Sequence, residues 1–282
     1  MLKNGIPKTV MQTWKTDEVP EMWKAGQLSV KEHFSGWTYV FLNDLQMYDF
    51  VSKEYPQFYD AFCALPYSIQ RADILRYLWL YSYGGLYLDL DFKVLRSFEA
   101  FVSSCEAELM VVHSSNVSSV LTNSIILAKP KIQVLYDIVV TALNNRSNWS
   151  KISKHLHVMI TTGPMAFHKA LNQASFRGTY LVLPRSLFLP YSTVLENHEP
   201  VDLQRVFTVP LEGGSWNSTD TLVLNAANKH KYLITAIVLL AIVFYIIKNA
   251  EINLAFRNLV QTTKKLFKRR KAVVPQELNF IV

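Results

Sequence analysis

The chain has 282 residues, half of them hydrophobic, and a formal charge of +7. Ten Lys or Arg and two Glu fall from Lys229 onward, which leaves the preceding body near −1 and excludes a nucleic-acid-binding surface spread over it. Cys63 and Cys105 have no cysteine neighbours and no metal-type spacing, so a disulfide framework and a zinc site are unsupported.

The predicted elements alternate. Val10–Trp14 and Trp37–Leu42 read as strands, and Asp44–Phe62 reads as a helix. A second helix is expected over Ser68–Tyr83. Its start follows Leu65, because Pro66 cannot lie deep inside it, and Gly84 fits the stop. Within it Asp73 and Arg76 share one face. That spacing suits an ordinary ion pair, and equally a pair holding sugar hydroxyls and a diphosphate. Leu86–Asp91 follows as a strand, then strands at Leu109–His113 and Ser124–Ala128 and a helix over Ile132–Asn144. Another helix follows Pro164, and Thr179–Leu183 and Val206–Val209 are extended. Such alternation predicts an α/β fold with a mixed sheet flanked by helices.

Tyr83-Gly84-Gly85-Leu86-Tyr87-Leu88-Asp89-Leu90-Asp91 carries the clearest chemistry. On a strand, residues i and i+2 share a face, so Asp89 and Asp91 are expected to converge. Paired carboxylates repel unless a cation sits between them, and an all-oxygen pair suits Mn²⁺ or Mg²⁺. Such ions commonly complete their shell with substrate phosphate oxygens. The bland reading is a solvated acidic strand end.

Three segments in order, Ile6-Pro7-Lys8-Thr9-Val10-Met11-Gln12-Thr13-Trp14, Ala72-Asp73-Ile74-Leu75-Arg76-Tyr77 and Gly84 to Asp91, resemble the glycosyltransferases with a DXD sugar-binding region (family 32). That group includes fungal α-mannosyltransferases and inositolphosphoceramide mannosyltransferases. The resemblance runs from about Ile6 to Trp216. It implies a GT-A (Rossmann-like) fold, a nucleotide-sugar donor such as GDP-mannose or a UDP-hexose, Mn²⁺ or Mg²⁺, and transfer with retention to a lipid-linked or glycan acceptor. By the same resemblance Trp14 lies beside the nucleotide base, near Gln12 and Thr13, and Asp73 and Arg76 bind the donor. Asp89 and Asp91 form the DXD, with Asp91 the direct metal ligand. Leu211-Glu212-Gly213-Gly214-Ser215-Trp216 resembles the segment that closes over the diphosphate. Relatives often carry a His before that Ser-Trp; none stands here, and Glu212 is the available third metal ligand. Thr162-Gly163-Pro164 resembles a turn at the acceptor side.

Tyr232 to Ile247 is sixteen residues without a charge, bracketed by Lys231 and Lys248. As a helix it spans about 24 Å, and snorkelling lysines can extend it towards the ~30 Å hydrocarbon core. Beyond it Ile252, Phe256, Leu259, Thr263 and Leu266 form one stripe among basic residues, as in a helix lying on an anionic membrane. The expected organisation is a GT-A-like domain over 1–228, a transmembrane helix over 229–250 and a basic amphipathic tail over 251–282. The basic cluster after the span and four Asn-x-Ser/Thr sequons (at Asn116, Asn145, Asn148 and Asn217) fit a catalytic domain in an endomembrane lumen. Met1–Trp14 shows no apolar segment to translocate it, so sidedness stays open.

Two other classes compete. A DxD phosphohydrolase needs a small hydroxyl or β-branched residue two after the second Asp, where Lys93 stands. A non-catalytic membrane adaptor derived from a transferase would bind no sugar nucleotide.

Overall fold

The computed structural model describes residues 1–114, 120–144, 153–173, 180–193 and 201–213, with 230, 235, 237–242, 245, 248 and 264 beyond them. The chain divides into two units, Met1–Val223 and Leu224–Val282.

The first unit is built on a six-stranded mixed sheet in the order β2-β1-β3-β6-β5-β7. These strands are β1 (Thr9–Thr13), β2 (Thr38–Leu42), β3 (Gly85–Leu88), β5 (Leu109–His113), β6 (Leu121–Ala128) and β7 (Tyr180–Leu183). Pairing is parallel for β2-β1-β3 and for β5-β7, and antiparallel at β3-β6 and β6-β5. Both faces are covered, so the central strands read as apolar runs rather than alternations. Met11, Tyr87, Val111 and Ile126 pack on one side. There they meet α2 (Asp44–Glu54), α4 (Ser68–Tyr83), α6 (Gln133–Asn144) and α8 (Pro164–Leu171). Val10, Leu86, Leu88 and Met110 face the other way. Their partners come from α1 (Glu21–His33), α5 (Glu99–Ser103) and α9 (Arg185–Phe188). The α/β expectation holds.

Gly84 and Gly85 join α4 to β3 with φ of 66° and 100°. A Cβ on Gly84 would stand 2.7 Å from the Ala128 carbonyl oxygen, and one on Gly85 2.5 Å from that of Thr9. Both the positive φ and the close backbone approach demand glycine. They lower β3 directly beside β1.

Among the boundaries that differ from expectation, two bear on the site. The helix expected over 44–62 is broken: α2 ends at Glu54, a 3-10 turn covers Pro56–Phe58, and α3 (Tyr59–Cys63) follows. Pro56 has no N–H to give, and its ring blocks continuation. The strand expected through Asp91 stops at Leu88, opposite Ile125. Asp89 N–H donates once more to the Ser124 carbonyl, and the chain turns at Leu90-Asp91 into β4 (Phe92–Val94). β4 pairs antiparallel with β8 (Thr208–Pro210) in a separate ribbon. α1 docks on that ribbon through Gly26, where a Cβ would meet the Phe92 oxygen at 2.5 Å, and through Ser29, whose hydroxyl accepts the Val94 N–H. The remaining described helix is α7 (Lys154–Thr161).

In the second unit, the described residues 235, 237–242, 245, 248 and 264 are helical. Ile237, Leu239, Leu240 and Tyr245 are exposed. Among the described residues no helix is long and apolar enough to cross a membrane. Much of the expected span at 232–247, nearly all of the tail at 251–282, all four sequons, and Ser215 and Trp216 lie outside the described residues.

Candidate active site

Parallel neighbours β1 and β3 end side by side, and in open α/β sheets the ligand crevice lies beyond such carboxyl ends. Trp14 follows β1, and the Asp89–Asp91 turn follows β3. A cavity of about 240 Å³ opens there, lined by Trp14, Arg76, Asp89 and Asp91 together with Lys15 and Lys154. Four of the residues singled out in the sequence therefore face one space, although the acids reach it from a turn rather than from one strand face.

Gln12 fixes the register between the two strand ends. Its buried Nε2 donates to the Leu88 carbonyl at 3.2 Å and the Asp89 carbonyl at 3.4 Å, and its Oε1 accepts from Tyr39 at 2.9 Å. It is a brace under the turn rather than part of the cavity wall. Trp14 packs edge-on against Trp23, centroids 5.0 Å apart, and Lys15 Nζ lies 5.3 Å from its ring centre.

Arg76 reaches the cavity from within α4. Its Nη1 is 3.2 Å from Asp89 Oδ1 and donates to the Asn123 carbonyl at 2.7 Å, and its Nη2 is 3.0 Å from Asp73 Oδ1. The guanidinium lies 4.5 Å from the Tyr87 ring centre. Burial alone would weaken its charge, but Asp89, Tyr87 and Asp73 outweigh that and raise its pKa. Asp73 does not line the cavity. Both its side chain and that of Arg76 are 4 % exposed, and Asp73 also accepts from Asn123 at 3.0 Å and from Thr162 at 2.8 Å. Burial lifts its carboxyl to about 6, against the pull of Arg76, Thr162 and Asn123. In this arrangement Asp73 holds Arg76, and Arg76 meets the ligand space.

Asp89 Oδ1 takes both Arg76 and the Tyr87 hydroxyl, the latter at 2.5 Å. Asp91 is different: its Oδ1 is buried without a hydrogen-bond partner. Burial, and next the charge of Asp89, push its carboxyl up to about 8. A buried carboxylate oxygen with no donor, beside a second acid, is the arrangement a hard divalent cation relieves. The donor set fits Mn²⁺ or Mg²⁺. Among the described residues no group of three or more His, Cys, Asp or Glu side chains converges as a complete metal cage. Glu212 is near in the main chain only. Leu211 N–H donates to the Asp91 carbonyl at 2.6 Å, and the Glu212 carbonyl accepts from Trp23 Nε1 at 3.0 Å, while its side chain does not line the cavity.

Sequence reasoning passed over Tyr87, Asn123 and Lys154. A signal for Asn123 was present: Thr122-Asn123-Ser124 interrupts an otherwise apolar strand, and buried polar groups require partners.

Residues 20–113 match the model of the glycosyltransferase sugar-binding region containing the DXD motif. Inositol phosphoceramide mannosyltransferase 2 of Schizosaccharomyces pombe is 30% identical over 234 residues, 82% of this chain and 64% of that protein. Mannosyl phosphorylinositol ceramide synthase SUR1 of Saccharomyces cerevisiae is 43% identical over 86 residues, 30% of this chain and 22% of that protein. The chain thus covers less than two thirds of the length of these relatives. Mouse xyloside xylosyltransferase 1, in its apo crystal structure, aligns with a TM-score of 0.43 at 12% identity, over 75% of this chain and 98% of that one. With the Asp89–Asp91 turn inside the matched region, residues 20–113 of this chain form a glycosyltransferase sugar-binding region containing the DXD motif.

Proposed function

We propose that the protein moves a hexose from a nucleotide sugar to a lipid-linked acceptor at a membrane, on a GT-A-like fold and with retention of configuration. GDP-mannose is the first donor to test, because the relatives named above are mannosyltransferases acting on, or synthases making, inositol-phosphate ceramides. The observation that carries the proposal is the partnerless Oδ1 of Asp91, facing the same cavity as Asp89 and Arg76.

Asp89 and Asp91 would hold the divalent cation, the Glu212 side chain standing away from them, and the cation when bound would supply positive charge to the departing diphosphate. Arg76, fixed by Asp73 and Asn123, adds a permanent donor fork at the same place. Trp14 offers an aromatic face for the base, worth about 1–3 kcal/mol. Ser215 and Trp216 belong to the segment proposed to close over the diphosphate. No carboxylate is assigned as nucleophile or general base. Membrane attachment is proposed through the uncharged stretch 232–247, helped by the basic residues that follow it.

The test is release of nucleotide by the full chain with Mn²⁺ and a panel of GDP- and UDP-sugars. Turnover of one donor, lost in Asp91→Asn, is expected. Neither turnover nor metal-dependent binding of any donor would favour the adaptor reading, and full activity in Asp91→Asn would overturn the site.

A further inference from the structure

A second cavity, of about 620 Å³, lies at the opposite end of the β4/β8 ribbon from Asp91. The ribbon's register shows the separation. Phe92, next to Asp91, pairs with Pro210; Val94 pairs with Thr208; then Leu95 N–H donates to the Phe207 carbonyl, and Arg96 and Val206 follow at the far end. Among the described residues, Arg96, Arg185 and Arg205 line this cavity with Ser186, Gln204 and the acid Asp202. Guanidinium groups predominate among these described residues, which suits an anionic ligand.

Its walls are held in place. Arg96 Nε donates to the Val206 carbonyl at 3.2 Å, and its guanidinium lies 5.4 Å from the Phe207 ring centre. That fixes the side chain, yet its Nη2 is buried with no hydrogen-bond partner. The turn carrying Arg205 is braced internally: Asp202 Oδ1 accepts the Gln204 N–H and the Asp202 carbonyl accepts the Arg205 N–H, both at 3.0 Å. Phe207 N–H in turn donates to the Leu187 carbonyl at 2.7 Å, tying this turn to α9, where Arg185 sits. A buried guanidinium nitrogen without a partner calls for an acceptor, and the planar fork of arginine matches phosphate oxygens two at a time. The volume is that of a site for a small organic ligand.

We infer that the Arg96–Arg185–Arg205 cavity binds a phosphate ester, either the headgroup of an anionic lipid or a soluble phosphate ester, separately from the donor site. None of the three arginines lines the donor cavity, so the inference stands or falls apart from the transfer reaction.

The test uses the full chain, Arg185→Glu/Arg205→Glu, and Arg96→Lys. The soluble probes are inorganic phosphate and glycerophosphoinositol, followed by calorimetry. The lipid probe is phosphatidylcholine vesicles with and without phosphatidylinositol, followed by co-sedimentation at two salt concentrations. Affinity should fall about tenfold or more in the double variant and less in Arg96→Lys, which keeps the charge but loses the fork. Donor turnover and the melting midpoint should not change. A fall with the soluble probes alone assigns the site to soluble phosphate esters, and a fall with the vesicles alone assigns it to a lipid headgroup. Unchanged binding of every probe overturns the inference. Should the double variant melt early, Arg205→Gln at an exposed position decides the matter: reduced affinity supports the site and unchanged affinity overturns it.

Discussion

Asp91 carries a proton that a cation must displace. With its carboxyl raised to about 8 in the fold, against 3.8 as the ordinary value, the folded chain binds that proton more tightly than the unfolded chain does. The metal-free protein should therefore lose stability as pH rises from about 4 through about 8, and level off above. Mn²⁺ affinity should climb about tenfold per pH unit over the upper part of that window, with about one proton released per ion at neutral pH. Calorimetry in buffers of differing ionisation enthalpy counts that proton, and no release would contradict the reading. Asp73 is a separate case. Replacing it with Asn leaves Arg76 buried with one charge partner fewer, which should cost about 3–5 kcal/mol in chemical denaturation. Thr162→Val removes only one donor to Asp73 and should cost about 1–3 kcal/mol, with donor affinity falling in parallel because Arg76 loosens.

At the scale of elements, the helix–glycine–strand joint positions the site. Gly85→Ala forces a side chain onto a φ of 100° and against the Thr9 oxygen, so β3 must leave β1. Circular dichroism melting should show a loss of about 1–3 kcal/mol, and Mn²⁺ binding should weaken, since the acids ride on β3. Much of this joint was legible: α4 matches the expected Ser68–Tyr83, and the glycine pair announced itself. α1 was not legible, because the face it buries includes Gly26 and Ser29 beside Trp23 and Val30, which gives no apolar stripe. The strand end at Leu88 was hidden for another reason. Leu90 continues the alternation in the sequence, but it packs with Val19 and Trp23 outside the sheet. Asn123 was passed over, and Thr162 was read as part of an acceptor-side turn rather than as a partner of Asp73, because Asp73 lies far away in sequence and local spacing cannot show the contact.

At the scale of the whole molecule, charge divides the labour. A body near −1 beside a strongly basic C-terminal stretch should bind anionic vesicles in a salt-sensitive way and neutral vesicles weakly. Sedimentation of the full chain with both vesicle types checks this, and equal binding to both would contradict it. The topology also predicts an order of assembly for the body. The sheet neighbours β1, β2 and β3 all come from the first third of the chain, but the main-chain bond from Leu211 to the carbonyl of Asp91 joins that third to residues made much later. Closing so long a loop is slow compared with forming the local helices. The acid turn is therefore the last part of the site to be tied down, and a nascent chain halted before residue 211 would carry both aspartates without the clasp that sets them.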